Sequence, residues 1–397
     1  MSNVKEAIAD ITPEMIAIRT HIHEHPELSL KEFDTCALLE DYVKKNVKYD
    51  YLKRVGQTGL FFVLKGTKPG PGKTIVFRGD IDALPIQEDE SMSPCSTVPG
   101  VMHACGHDIH GTINVGAAAI LSRIKDQFSG SIFFFIQPVE ETLAGAQLFL
   151  TDPAIPWNQI DAVAALHVSA ELEVGKIGVR YGAILASADE FTITVCGKGG
   201  HGAHCHTVRD PIVAGAAMVS SLQTLVSRET NPANAVVVSI TQFHAGCANN
   251  IIPDKAILSG TVRTLNSEDR SRTEASIKRM ASCVAEGFRC TADVQYDHGV
   301  PPFICEDEWV DRALRVGRKI LGTDNTCIMP YAAMGGEDFA FIKEHKPGIF
   351  VRLGCRTPGG AYGSAHSSTF YADPDCIPVG IYVIIGLAAD YLGFEVK

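Results

Sequence analysis

The chain has no run of about 18 apolar residues, the length a helix needs to cross a bilayer. Its first ten residues, Met1 to Asp10, are polar and charged where an export signal needs an apolar stretch. These two absences predict a cytoplasmic protein that does not engage a membrane. Basic residues never gather either: 35 Lys and Arg face 46 Asp and Glu, the formal net charge is −11, and the longest basic runs are pairs such as Lys44-Lys45. Phosphate binding needs a clustered basic surface, so no nucleic-acid partner is expected. No internal repeat or low-complexity segment stands out. Cysteine is not scarce, at 12, but the residues are scattered and come without export signals. They are read as reduced, mostly buried small residues rather than disulfide partners.

What is present suffices for a large core. Hydrophobic residues make up 46% and charged residues 20% of 397 positions, too many for one ordinary core, which suggests two domains or one carrying an insertion. Ile8, Ile11, Met15, Ile18 and Ile22 recur at spacings of three and four and predict one face of a helix that ends by Pro26. A second helix is expected over residues 35–45. Residues 59–64, 74–77, 131–136 and 161–167 read as short apolar strands, with helical stretches such as 113–124 between them. Strands alternating with helices predict an α/β fold with a largely parallel sheet covered by helices. From about Ala186 the texture changes to a β-α-β-β-α unit of about 110 residues, with helices over 210–227 and 267–286, a plausible size for an inserted domain. The α/β texture then resumes, with helices over 308–321 and 379–391.

The densest chemical signal is His103-Ala-Cys105-Gly-His107-Asp108-Ile-His110, five potential ligands or acid-base groups in eight positions. If extended, the segment projects Cys105 and His107 to one side. A lone Cys here favours an open catalytic metal site over a closed structural one. The plainer reading is a polar loop whose Asp caps the following helix. In Phe133-Phe-Phe-Ile-Gln-Pro-Val-Glu140-Glu141 an apolar strand runs into two carboxylates, at the kind of strand end where open α/β sheets bind ligands. Such a pair can divide labour, one carboxylate holding metal while the other takes a proton from water, or it can simply start a solvated helix. His167 ends another apolar strand and His366 lies in a Gly/Ser loop; taken singly, neither decides anything. Asp80 and Asp82, in Arg78-Gly-Asp80-Ile-Asp82-Ala-Leu-Pro85, could orient a metal-bound histidine from behind, or Asp82 only stabilises the turn before Pro85.

Arg78-Gly-Asp-Ile-Asp-Ala-Leu-Pro85, His103-Ala-Cys-Gly-His-Asp-Ile-His110, Gln137-Pro-Val-Glu-Glu141 and Gly335-Gly-Glu-Asp-Phe339 together resemble the amidohydrolase branch of the M20 metallopeptidases, in that family's order and over nearly the whole chain. That branch includes hippurate hydrolases, N-acyl-L-amino acid amidohydrolases and auxin-conjugate hydrolases. The resemblance implies a catalytic domain, residues 1–185 and 296–397, interrupted by a smaller α+β, ferredoxin-like lid over 186–295 that also serves dimerisation. It implies two divalent ions per subunit held by Cys105, His107, Glu141, His167 and His366, with the thiolate bridging them, Glu140 as general base and Asp82 behind the ligands. Zinc or manganese fits this donor set, and cobalt and nickel are compatible with it. In the lid, Gly197-Lys-Gly-Gly-His201-Gly-Ala-His-Cys205-His206 is similar to a family segment that carries proline where Cys205 stands. His201 would then reach the scissile carbonyl, in its own or the partner subunit. Asn250 and Arg263 match lid motifs and become candidates for holding a substrate carboxylate, which suits an Arg fork.

The implied reaction is hydrolysis of the amide of an N-acyl amino acid, with a dipeptidase, an aminobenzoyl-glutamate hydrolase or a carboxypeptidase of the same chemistry as the runner-up. A Cys105 nucleophile paired with a histidine is the rival reading. It leaves Glu140, Glu141, His167 and His366 without a role. A binding protein built on the same fold would show damaged ligands, and none is damaged.

Overall fold

The computed structural model describes residues 4–396. The chain divides into two compact units, one formed by the residues up to Gly182 with Cys305–Tyr331 and the residues from Phe341 onward, the other by Ala183–Ile304 with Ala332–Ala340.

The first unit is built on an eight-stranded sheet in the order Tyr51–Val55, Gly59–Lys65, Gly130–Gln137, Lys73–Asp80, Ala162–Glu173, Gly348–Arg356, Ile177–Val179, Thr326–Ile328. Its four central strands run parallel, and antiparallel pairings occur toward both edges. The central strands read as continuous apolar runs because both of their faces are covered. Successive phenylalanines of the Gly130–Gln137 strand alternate between those faces. Phe134 stacks on Phe62 at 4.9 Å, whereas Phe135 packs against Phe149 of the Gly145–Thr151 helix at 4.6 Å. Burying each such ring stabilises the fold by roughly 1.5–3 kcal/mol.

The helix Val4–Glu24 ends just before Pro26 and buries Ile8, Ile11, Met15 and Ile22, as the spacing predicts. Ile18 is only half-buried, and its neighbour Arg19 is 2% exposed instead. A charge displaces an apolar residue from the stripe because it has a buried anion to meet, described below. The expected second helix is Phe33–Asn46. The stretch predicted to be helical from residue 113 begins six residues earlier: the helix is His107–Leu121, and all fifteen of its residues are buried. It packs against the Val4–Glu24 and Cys376–Leu392 helices and across the Lys73–Asp80 strand. Its N-terminus is thereby fixed at the C-terminal ends of the parallel strands.

In the second unit a four-stranded antiparallel sheet, in the order Val236–Ala245, Lys255–Thr264, Ala188–Cys196, Thr291–Val300, carries the helices Pro211–Thr224 and Ser267–Gly287. Phe191, Ile193, Met218, Leu222, Leu258 and Ile277 lie at its core. Thr291–Val300 is a sixth element beyond the five read from the sequence, giving β-α-β-β-α-β. Most of its residues are exposed or half-buried, so it lacks an apolar run.

Candidate metal centre

Five residues from four distant stretches of the first unit converge. Cys105 and His107 stand on either side of Gly106, whose φ of +84° turns the chain from loop into helix. The segment is therefore not extended, and Cys105 and His107 share a side because of that turn rather than strand alternation. A Cβ at Gly106 would lie 2.4 Å from Val168 Cγ2, so only glycine lets the loop pass this close to the Ala162–Glu173 strand. Ligand atoms of Cys105, His107 and Glu141 lie within 4.8 Å of one another. Cys105 Sγ is 3.5 Å from His167 Nε2, and His366 Nε2 is 3.5 Å from Glu141 Oε2. The His366 loop is held in place by its own backbone, since His366 N–H donates to the Ala104 carbonyl at 2.8 Å. Glu140, 6% exposed, brings Oε2 to 3.8 Å from His107 Nε2.

The histidines are aimed from behind. His107 Nδ1 pairs with Asp82 Oδ1 at 3.2 Å and His167 Nδ1 with the Val168 carbonyl at 2.8 Å, which leaves Nε2 of each facing the cluster. The other Asp82 oxygen accepts the Glu141 N–H at 3.0 Å and the Ser29 hydroxyl at 2.7 Å. Asp82 thus touches His107 through one oxygen and the Glu141 backbone and Ser29 through the other.

His110, counted among the potential ligands in the sequence, is fully engaged. Its Nδ1 pairs with Asp80 Oδ1 at 2.5 Å, its Nε2 accepts the Val168 N–H at 2.9 Å, and Arg78 in turn pairs with Asp80. Asp108 does not cap the helix. It points inward to Arg19 Nε and His23 Nδ1, each at 2.8 Å, and His23 Nε2 reaches Glu88 at 3.0 Å. All four of these residues are at most 4% exposed. Arg19, His23 and Glu88 escaped the sequence reading because a charged residue inside an apolar stripe carries no local sign of its partner.

In the second unit, His201 pairs in a short antiparallel ladder with Ile251, and Gly202 N–H donates to the Asn250 carbonyl at 2.8 Å, so His201 and Asn250 are neighbours. His201 is exposed, and its Nδ1 accepts the Ala203 N–H at 3.1 Å. Arg263 lies on the Lys255–Thr264 strand, its guanidinium donating to the Val262 carbonyl at 3.0 Å and to the Thr261 hydroxyl.

The sequence matches the family model for peptidase family M20/M25/M40 over residues 76–390. The chain belongs to that family. It is 37% identical over 377 residues to an N-acetyldiaminopimelate deacetylase of Enterococcus faecalis, covering 94% of this chain and 96% of the relative. To an N-acetyl-L-cysteine deacetylase of Bacillus subtilis it is 35% identical over 350 residues, 87% and 82% of the two chains. Among solved structures, a dinuclear metal-binding peptidase of the M20 family from Bacillus subtilis matches with a TM-score of 0.85 and 31% identity, covering 98% of this chain and 100% of that one.

The M20 cluster fits metal ions on its own geometry. Three carboxylate oxygens, from Asp80, Glu140 and Glu141, stand 3.8 Å from His107 Nε2, too far to hydrogen-bond, and this buried nitrogen has no hydrogen-bond partner among the described residues. Two donors each about 2.0–2.3 Å from an ion at a near-tetrahedral angle are about 3.3–3.8 Å apart, which is the spacing found here. The donors differ in protonation state. Burial pushes the Cys105 thiol up to about 12, so without a metal it is a neutral thiol and a poor nucleophile. Burial also holds His167 well below the usual imidazole range and lowers His366, leaving both neutral and able to donate a lone pair. At His107 burial acts the same way, but the charge of Asp80 and the hydrogen bond to Asp82 outweigh it and raise the ring well above 6.5, so this imidazole sheds a proton when it takes up an ion.

Proposed function

We propose that this chain hydrolyses N-acyl amino acids to a carboxylic acid and a free amino acid, with two divalent ions held by Cys105, His107, Glu141, His167 and His366. The observation that carries this is the convergence of one sulfur, three imidazoles and a carboxylate at ligand spacing beside a second, buried carboxylate, Glu140. Ions bound there supply acidification of water and polarisation of the amide carbonyl. The remaining work falls to side chains. Glu140 takes the proton of the attacking water at its carboxylate oxygen and delivers it to the departing amine nitrogen. Asp82 keeps His107 in the tautomer that presents Nε2. The deacetylases among the relatives support an acylated amino acid as substrate.

In the second unit we assign His201 to the developing oxyanion and Asn250 with Arg263 to the substrate carboxylate; the adjacency of His201 and Asn250 supports their acting on one substrate. We further infer a homodimer through that unit, zinc or manganese as the resident ions, and a cytoplasmic location. Twelve cysteines all in the free thiol form support that location. Among the described residues no helix is long and apolar enough to cross a membrane.

The test is Glu140→Gln. It should keep its bound metal and lose about 10²–10⁴ in kcat against a panel of acetyl and benzoyl amino acids. Near-normal turnover refutes the role of Glu140. A preference for dipeptides over every acyl amino acid in the panel would move the substrate class to the runner-up.

A further inference from the structure

Glu140 and Glu141 are consecutive, and on an extended strand consecutive side chains point to opposite faces. Here both reach one atom: Glu140 Oε2 and Glu141 Oε1 each lie 3.8 Å from His107 Nε2. The backbone achieves this by leaving its strand at Gln137 and turning at Val139, whose φ is +66°. A β-branched residue in the left-handed region is an outlier, and it persists only where its surroundings over-determine it. Leu143, at φ +58°, belongs to the same turn; its N–H donates to the Glu140 carbonyl at 2.7 Å, and the Gly145 N–H reaches the Val139 carbonyl at 3.2 Å.

One contact reaches this turn from far along the chain. The Val139 N–H donates at 3.0 Å to Oε1 of Glu32, a carboxylate 107 positions away that is 0% exposed and sits at the start of the Phe33–Asn46 helix. A carboxylate is the strongest acceptor a backbone N–H can find. Ser29, in the same loop as Glu32, donates to the Asp82 oxygen that accepts the Glu141 N–H. The loop between the first two helices therefore braces the glutamate pair from both ends.

We propose that Glu32 is a positioning residue, whose buried carboxylate holds Val139 in the left-handed conformation that turns Glu140 and Glu141 to the same side. The effect on turnover rests on the roles given above to those two glutamates; the effect on the backbone does not. Val139→Gly separates Glu32 from its task, because glycine adopts positive φ without help.

Thermal unfolding of the metal-free protein is compared for the wild type, Glu32→Leu, Val139→Gly and the double variant. The expected result is a coupled cycle, in which Val139→Gly raises Tm more in the Glu32→Leu background than in the wild type. In the metal-loaded enzyme, Glu32→Leu should lower kcat by about 10–100-fold with a much smaller change in KM. Glu32→Gln, which keeps an acceptor oxygen, should recover much of that loss, and the double variant should exceed Glu32→Leu alone. An additive cycle, or a Gln variant no better than Leu, overturns the proposal. If Glu32→Leu does not fold, the cycle is run with Glu32→Gln, and additivity there overturns it equally. A coupled cycle with undiminished kcat overturns it through the role given to Glu140, which Glu140→Gln tests on its own.

Discussion

Metal uptake by this centre should be steeply pH-dependent, and the size of the effect follows from two side chains. The Cys105 thiol, pushed up to about 12 by burial, carries its proton throughout the neutral range. A divalent ion binds the thiolate, so each loading event that uses Sγ expels one proton. Far below the thiol's own pKa, apparent affinity then falls tenfold per unit of acidification, or about 1.4 kcal/mol. Between about pH 8 and pH 6 that is a loss of about 100-fold from Cys105 alone. His107, raised well above 6.5 by Asp80 and Asp82 against the effect of burial, must also shed a proton wherever it is charged and steepens the slope further. His167 and His366 are both lowered and contribute nothing above their own pKa values. The total is between one and two protons per loading event.

Competition against a chromophoric chelator at several pH values gives the slope, and calorimetry in buffers of different protonation enthalpy counts the protons directly. Cys105→Ala should bind more weakly with a slope shallower by one proton. A slope below one in the wild type, or an unchanged slope in Cys105→Ala, would refute the reasoning, because it would mean that the sulfur is not a ligand.

Four further variants have outcomes set by the contacts around the centre. Asp82→Asn should weaken metal binding about 10–100-fold in the same chelator assay, since the partner that fixes the His107 tautomer is weakened; wild-type affinity would exclude that role. Gly106→Ala forces a Cβ to within 2.4 Å of Val168 Cγ2 at a φ of +84° and should destabilise the metal-free fold by at least about 1–3 kcal/mol, measured by denaturant unfolding. Arg19→Met leaves Asp108 short of its buried cation and should cost about 3–5 kcal/mol. Although burial opposes it, Arg19 and His23 hold Asp108 far below the ordinary carboxylate range of 3.8, so this stability is present above that value and is lost as pH falls below it. Asp108→Asn should accordingly flatten the acid limb of the pH–stability curve.

Local pattern alone was enough for the helix faces, the apolar strands and the acidic strand end. The spacing of Ile8, Ile11, Met15 and Ile22 and the run Phe133-Phe-Phe-Ile dictate burial whatever the rest of the chain does, because helix and strand periods are properties of the backbone. The motif residues likewise announced their chemistry, since five donor groups crowded into His103–His110 suit a reactive site better than a structural one. Their division of labour was decided only by folding. Nothing adjacent to His110 in sequence distinguishes it from His107; the difference is that Asp80 and the Val168 N–H occupy both of its nitrogens, while the Nε2 of His107 is left without a hydrogen bond. Arg19 carries no local sign that it is buried; its partner Asp108 comes from another helix. Nothing in the sequence around Val139 marks its backbone as left-handed, yet that conformation, braced by Glu32, is what brings two consecutive glutamates to one side. A sequence fixes which groups are available and the local period on which they recur. Which lone pairs remain free is set by partners scores of residues away, and that pairing exists only once the chain has closed on itself.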